Sequence, residues 1–210
     1  MGQNRAVPAD RPVTTPADRP VTSPVTSPAT SPAGRPDGGP GLLRPAEAGD
    51  AGRVGAIFAG YVLHSIATFV EDPPSDDVWR ERIAAAGRGL PFLVAEVDGQ
   101  VEGFAYVARF RPHAAYRYTV EDSVYIAPEA AGRGLGSQLL TGLLDALRGT
   151  EVRQVVAVIA ALAGSRHDTP STVLHRRLGF VEVGRLPAVG YKNGQWADTI
   201  IMQADLRPDA

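Results

Sequence analysis

The alternation of apolar and polar positions changes period several times along the chain, and each change marks an element. FLVAEV, residues 92–97, and VEGFAYVARF, residues 101–110, are apolar runs of strand length joined through Asp98-Gly99, so a β-hairpin with a tight turn is predicted. Before it the period is helical. From Pro45 to about Ser65, Val54, Ile57, Phe58, Tyr61 and Val62 recur at spacings of three and four, with Pro45 suited to a first helical position. A second, shorter helix is predicted from Ser75, whose hydroxyl suits an N-cap and is followed by Asp76 and Asp77 at the positive end of the dipole. It runs through Trp79 and Ile83 and stops at Gly87 and Gly89.

After the hairpin, TVEDSVYIA, residues 119–127, reads as the next strand. Alternation sends Glu121, Ser123 and Tyr125 to one of its faces and Val120, Asp122, Val124 and Ile126 to the other. SQLLTGLLDALRG, residues 137–149, is a helix with Leu140, Leu143, Leu144 and Leu147 on one side, and VVAVIA, residues 155–160, is a buried strand. Residues 170–178 form a last short helix, and DTIIMQADL, residues 198–206, a closing strand. This order predicts an α/β (α+β) domain whose mixed, mostly antiparallel central sheet is flanked by helices.

Composition removes the first forty residues from that domain. PADRPVT occurs at residues 8–14 and again at 16–22, followed by VTSP, VTSP and ATSP, so residues 1–40 read as a disordered Pro/Thr/Ser-rich tail and residues 41–206 as the folded unit. The N-terminus lacks the apolar stretch of a secretory signal and no run reaches the length of a membrane span, which predicts a cytoplasmic protein with no membrane partner. A net charge of -2 with no basic stripe predicts no nucleic-acid partner. With no cysteine, a disulfide framework, a thiolate metal site and a cysteine nucleophile are excluded, and no metal is expected.

The candidate chemistry lies between the third strand and the third helix. VYIAPEAAGRGLGSQLL, residues 124–140, runs from a strand through Gly132, Gly134 and Gly136 into a helix, which offers unpartnered N–H groups and the positive end of a dipole to an anion. Arg133 adds a charge at the rim. A glycine-rich helix start with no ligand has the same pattern. The Walker motif does not fit, because the only lysine is Lys192, and the dinucleotide fingerprint does not fit a turn that follows an antiparallel hairpin.

The residues resemble the GCN5-related N-acetyltransferases (GNAT), whose acetyl-CoA pyrophosphate loop reads Q/R-x-x-G-x-G/A. Gly134 and Gly136 match its glycines, while Ala131 stands where the family prefers Gln or Arg. The runs IATF, LVAEVDGQVEGFAYV, YTVEDSVYI, GRGLGSQLL, VVAVI, LHRRLGF and GYKNGQWAD resemble the branch of phosphinothricin acetyltransferases and L-amino-acid N-acyltransferases. The resemblance implies an acetyl-CoA-dependent enzyme acetylating the α-amine of a small amino-acid-like substrate, and a homodimer. It assigns cofactor contacts to Val124, Tyr125, Ile126, Gly132, Arg133, Gly134, Leu135, Gly136 and Ser137. Glu121, in the T-V-E step, is implied as general base, and His175 as the donor of a proton to the departing thiolate.

On the acceptor side the branch's aromatics correspond to Tyr61, Phe69, Tyr116, Tyr118, Tyr191 and Trp196. Three departures mark this chain. His113 replaces the arginine of the branch's Arg-x-Ala-Tyr step, Ala59-Gly60-Tyr61 replaces Asn-His-Tyr, and the loop at residues 161–171 has Asp168 or His167 where an asparagine contacts CoA. Two alternatives keep parts of this reading: a GNAT enzyme for a polyamine, an aminoglycoside or a protein N-terminus, and a non-catalytic acyl-CoA-binding domain.

Overall fold

The computed structural model describes residues 41–86 and 89–207; the expectation of a disordered tail at 1–40 and the helix stop at Gly87 lie outside them. Seven strands form one sheet in the order β1 (Leu42–Pro45), β2 (Phe92–Val97), β3 (Gln100–Arg109), β4 (Thr119–Ile126), β5 (Gln154–Leu162), β7 (Gln195–Asp205), β6 (Val181–Lys192). Every pairing is antiparallel except β4 with β5. The predicted fold class holds.

Helices α1 (Ala51–His64) and α2 (Asp76–Ala86) cover one face, and α3 (Leu135–Leu147) and α4 (Pro170–Arg177) the other. The division follows from side-chain alternation. On the first face Phe58, Trp79, Phe92, Phe104 and Tyr125 form a chain of aromatic contacts with centroids 5.0 to 6.4 Å apart, centred on the fully buried Trp79. On the other, Leu139, Leu140, Leu143, Leu144 and Leu147 of α3 are buried, and Gly103 lets Leu139 and Ile126 close in where a Cβ would stand 2.6 Å from Ile126.

Three predicted boundaries are corrected. The helix expected from Pro45 begins at Ala51. Leu42–Pro45 instead adds an edge strand to β2, and a 3-10 turn at Ala48–Asp50 intervenes, because Asp50 accepts from both the Glu47 N–H and the Arg44 guanidinium. Second, β6 is a strand beyond the predicted elements, because Gly184, Pro187 and Gly190 break its alternation. As an edge strand it absorbs them in two register shifts, and Pro187 falls within the second. Third, β7 starts at Gln195 and not at 198, since Asn193-Gly194 makes a tight turn with φ of 51° and 75°.

Candidate active site

The site is a fork in the sheet. β4 and β5 pair only from Thr119 opposite Gln154 to Asp122 opposite Ala157; beyond that β4 stays with β3 as far as Ile126 while β5 stays with β7 as far as Leu162. The Ala127 N–H donates to the Glu102 carbonyl and the Thr119 carbonyl accepts from Phe110, so odd-numbered residues of β4 direct their backbone to β3. Val124 and Ile126 therefore direct theirs into the gap. Departure of β4 also explains why Val158, expected within a buried strand, is 43% exposed.

Tyr61 reaches this gap from α1. Its hydroxyl donates to the Ile126 carbonyl at 2.8 Å and accepts from the Ile126 N–H at 3.4 Å, with its ring 5.0 Å from that of Tyr125. The backbone of Val124 is left facing the gap between this hydroxyl and the end of the ladder. Tyr125 itself is locked between Phe58, Tyr61 and Phe104, and burial pushes its hydroxyl well above the usual phenol range.

The glycine turn closes one end of the fork. Gly132 and Gly134 have φ of 79° and 80°, and space is open where a Cβ would stand, so these two positions need glycine for backbone shape and close approach. Gly134 is the N-cap of α3 and brings no side chain to it, which leaves the Leu135, Gly136 and Ser137 N–H groups pointing out of the helix start. Arg133 and Ser137 are exposed, whereas the Leu135 side chain is buried. Gly136 has a different job from its neighbours: its missing Cβ would lie 3.4 Å from Leu174, so it packs on α4. Arg53 braces the turn by donating to Glu102, Glu129 and the Val101 carbonyl.

Glu121 is half-buried on the α1/α2 face of β4. Burial pushes its carboxyl up, the Arg111 charge opposes that rise, and the Asp122 charge adds to it. No motif marks Arg111 in the sequence, although RFRPH leads straight into the residues expected on the acceptor side. Its guanidinium lies 4.3 Å from the ring of Phe110, which packs edge-on against Tyr116 at 5.6 Å.

On the opposite face of the same strand His175 is buried at 3% exposure. Its Nε2 stands 2.9 Å from Asp122 Oδ2, and its Nδ1 is 2.7 Å from the Ser171 carbonyl. Both ring nitrogens are engaged. Burial opposes a charge here, but the Asp122 carboxylate and the Ser171 carbonyl together hold the imidazole above its ordinary range. Asp168 is bound bidentately by Arg176 at 2.8 and 2.9 Å, and Thr169 caps α4.

The acceptor-side aromatics gather in separate groups. Tyr61 joins Tyr125, Tyr116 joins Phe110, and Tyr118 stacks on Arg117. Tyr191 and Trp196 pair at 5.0 Å across the β6–β7 hairpin, and the Phe69 ring covers Gly190 so closely that a Cβ there would lie 2.4 Å from it. His113 is exposed before a 3-10 turn. Two buried charged residues that no sequence motif marks support this side. Lys192 Nζ donates to the Thr68 carbonyl at 2.7 Å, tying the α1–α2 connection to β6, and Asp198 accepts from Arg185, the Ala188 N–H and the Gly164 N–H. Lys192 ends β6, whose broken alternation conceals the strand, while Asp198 lies on β7.

Comparison with known proteins agrees with this geometry. The Acetyltransferase (GNAT) domain family matches residues 43–201. A phosphinothricin N-acetyltransferase of Alcaligenes faecalis is 45% identical, covering 75% of this chain and 78% of its own length. An L-methionine sulfoximine/L-methionine sulfone acetyltransferase of Pseudomonas paraeruginosa is 36% identical over 79% of this chain and 95% of its own. The crystal structure of a phosphinothricin acetyltransferase from Sinorhizobium meliloti in complex with acetyl-CoA superposes with a TM-score of 0.72 at 41% identity, covering 79% and 88% of the two chains. A forked sheet, a glycine turn at the mouth of α3 and a family match across nearly the whole described domain lead to one conclusion: the chain belongs to the GNAT acetyltransferase family.

Proposed function

We propose that this acetyltransferase moves the acetyl group of acetyl-CoA to the α-amine of a small amino-acid-like substrate of the phosphinothricin, methionine sulfone or methionine sulfoximine type. The observation that carries the reading is the fork, where the Val124 backbone faces the gap three residues along β4 from the half-buried carboxylate Glu121 and two from Asp122. The names of the relatives support the substrate class.

The residues fit acetyl-CoA. The open glycine turn with Arg133 and the N–H groups of Leu135, Gly136 and Ser137 would hold its pyrophosphate, and the backbone of Val124, between Tyr125 and Ile126, would pair with its pantetheine arm. Acetyl-CoA supplies an activated thioester carbonyl. The amine nitrogen bonds to that carbon, the C–S bond breaks with its electron pair leaving on sulfur, and the proton lost from nitrogen goes to Glu121. A carboxyl raised by burial is a stronger base than a solvated one, which suits it to that transfer. His175, committed through both nitrogens, we assign to Asp122 and not to the leaving sulfur.

The acceptor's acid group needs a cation. His113 offers less than the arginine of the branch, but Arg111, whose charge reaches Glu121, stands on the same segment and supports an acidic acceptor. Tyr61, Phe69, Tyr116, Tyr118, Tyr191 and Trp196 are the proposed walls. We further infer a homodimer through the β6 edge, which exposes Val181, Val183 and Val189 beside an unpaired backbone; and because acetyl-CoA is drawn from the cytoplasm, that is the proposed location.

Replacing Glu121 by Gln is expected to lower kcat/KM by roughly 10²- to 10⁴-fold at neutral pH, with partial recovery at high pH where the free amine forms unaided. An unchanged pH–rate profile would exclude the base assignment.

Gly134→Ala, which forces a side chain onto a φ of 80°, should raise the acetyl-CoA Kd in calorimetry, whereas Gly136→Ala should leave it nearly unchanged. Equal binding by wild type and Gly134→Ala would remove the turn from the cofactor site.

In a CoA-release assay the three amino-acid analogues should be acetylated with high KM. A hydrogen bond to a charged group is worth roughly 1.5 to 3 kcal/mol, so His113→Arg should lower KM about tenfold or more and Arg111→Ala should raise it similarly. Turnover of spermidine with none of the three analogues would move the substrate class to polyamines. Sedimentation should give the mass of two chains, reduced to one by Val183→Arg; a single-chain mass for the wild type would refute the dimer.

A further inference from the structure

Asp122 is the last residue of β4 to pair with β5, so it sits at the crotch of the fork. Its side chain is 1% exposed, and that of His175 is 3% exposed. The Ser171 carbonyl can only accept, so His175 Nδ1 carries a proton; the Asp122 carboxylate draws a second proton to Nε2. The result is an imidazole and a carboxyl group sharing a proton, closed off on one side by the edge-on ring of Phe180 at 4.9 Å. One carboxylate oxygen, Asp122 Oδ1, is buried and has no hydrogen-bond partner among the described residues. Only one of the two carboxylate oxygens is therefore met by a hydrogen bond.

The next residue is Glu121, on the other face of the strand. A charge on one side of a single strand acts on a carboxyl on the other through a thin, dry layer, where screening is weak. Among the described residues the charged groups that act on Glu121 are Arg111, from the segment after β3, and Asp122; the charged group facing Asp122 is His175, from α4.

We propose that the buried Asp122–His175 pair is a positioning device for the base: it ties α4 to β4 at the crotch of the fork and sets the proton affinity of Glu121 by holding a partly compensated negative charge directly behind it. The inference rests on Glu121 being the base, and it gives His175 a role through Asp122 and not on the reacting atoms. It also gives a reason for a buried charge pair at this spot, where apolar packing would have served stability equally well.

The sign follows from the charge. Removing the negative charge behind Glu121 makes its carboxylate easier to form, so its pKa falls. Asp122→Asn keeps an oxygen to accept from His175 Nε2 and removes the charge; the double variant Asp122→Asn/His175→Gln keeps a neutral amide pair in the same place. Both are measured in the full chain with acetyl-CoA saturating. The acidic limb of the kcat profile is expected to move to lower pH by about half a unit to one unit, with kcat on the plateau falling a few-fold as the base weakens and the acetyl-CoA KM unchanged. Carboxyl NMR titration of Glu121 in the same variants should show the same downward shift without any turnover. If the limb and the carboxyl titration stay in place in both variants while the melting temperature falls, the pair is packing only and the proposal is overturned. Movement of the basic limb alone would make His175 the acid and overturn it as well. If the carboxyl titration shifts and the limb does not follow, the pair's hold on Glu121 stands and the assignment of Glu121 as base is what fails.

Discussion

Two strands that part after four paired residues leave backbone donors and acceptors inside the sheet with nothing to bond, and most other features around the site answer to that fact. β4 is held on its outer side by an unbroken ladder to β3 and braced at its far end by Arg53, while β5 is carried away by nine register pairs with β7. Neither strand can swing back to close the gap without giving up those bonds. Tyr61 satisfies Ile126, the residue at the far end, and the Val124 backbone stays directed into the opening. A sheet with such an opening is prepared for an extended ligand with its own amide groups, which is what the pantetheine arm of acetyl-CoA offers.

The same strand also separates two kinds of charge. Alternation sends Glu121 to the half-buried cleft side and Asp122 to the interior against α4. The carboxyl groups are adjacent in sequence and opposed in environment: one feels the Arg111 charge, the other faces the buried His175 ring. Because the residues are neighbours, the rigidity that fixes one fixes the other. The aromatic chain through Phe58, Trp79, Phe104 and Tyr125 supplies that rigidity from the cleft side.

On the acceptor side the edge strand β6 is irregular, and buried polar groups hold it in place. Asp198 gathers three donors from β6 and the turn after β5, and its bond to the Ala188 N–H fixes that residue at a φ of 47°, in the region that favours glycine. Lys192 draws the α1–α2 connection onto the same strand, where burial pushes its ammonium below the usual range. The proposed acceptor walls thus come from segments tied together by charge and not by a continuous hydrophobic layer.

Periodicity and turn chemistry were enough to find the hairpin at Asp98-Gly99, four helices and the strands that carry Glu121 and the closing run, because each of these buries a regular face. The family motifs drew attention to the glycine turn and to Glu121. β1 and β6 were hidden because edge strands need no alternation: Pro45, Gly184 and Pro187 are harmless where one side of the backbone faces solvent. The faces of β4 were legible from alternation, but no local signal announces that Asp122 meets His175 fifty-three residues away, that Arg111 lies close enough to act on Glu121, or that Gly136 packs on Leu174 while Gly134 stays open. A sequence determines which face a side chain takes through the geometry of its own element. Which groups share a buried space, and so which charges feel one another, is decided only when distant elements pack and exclude the water between them.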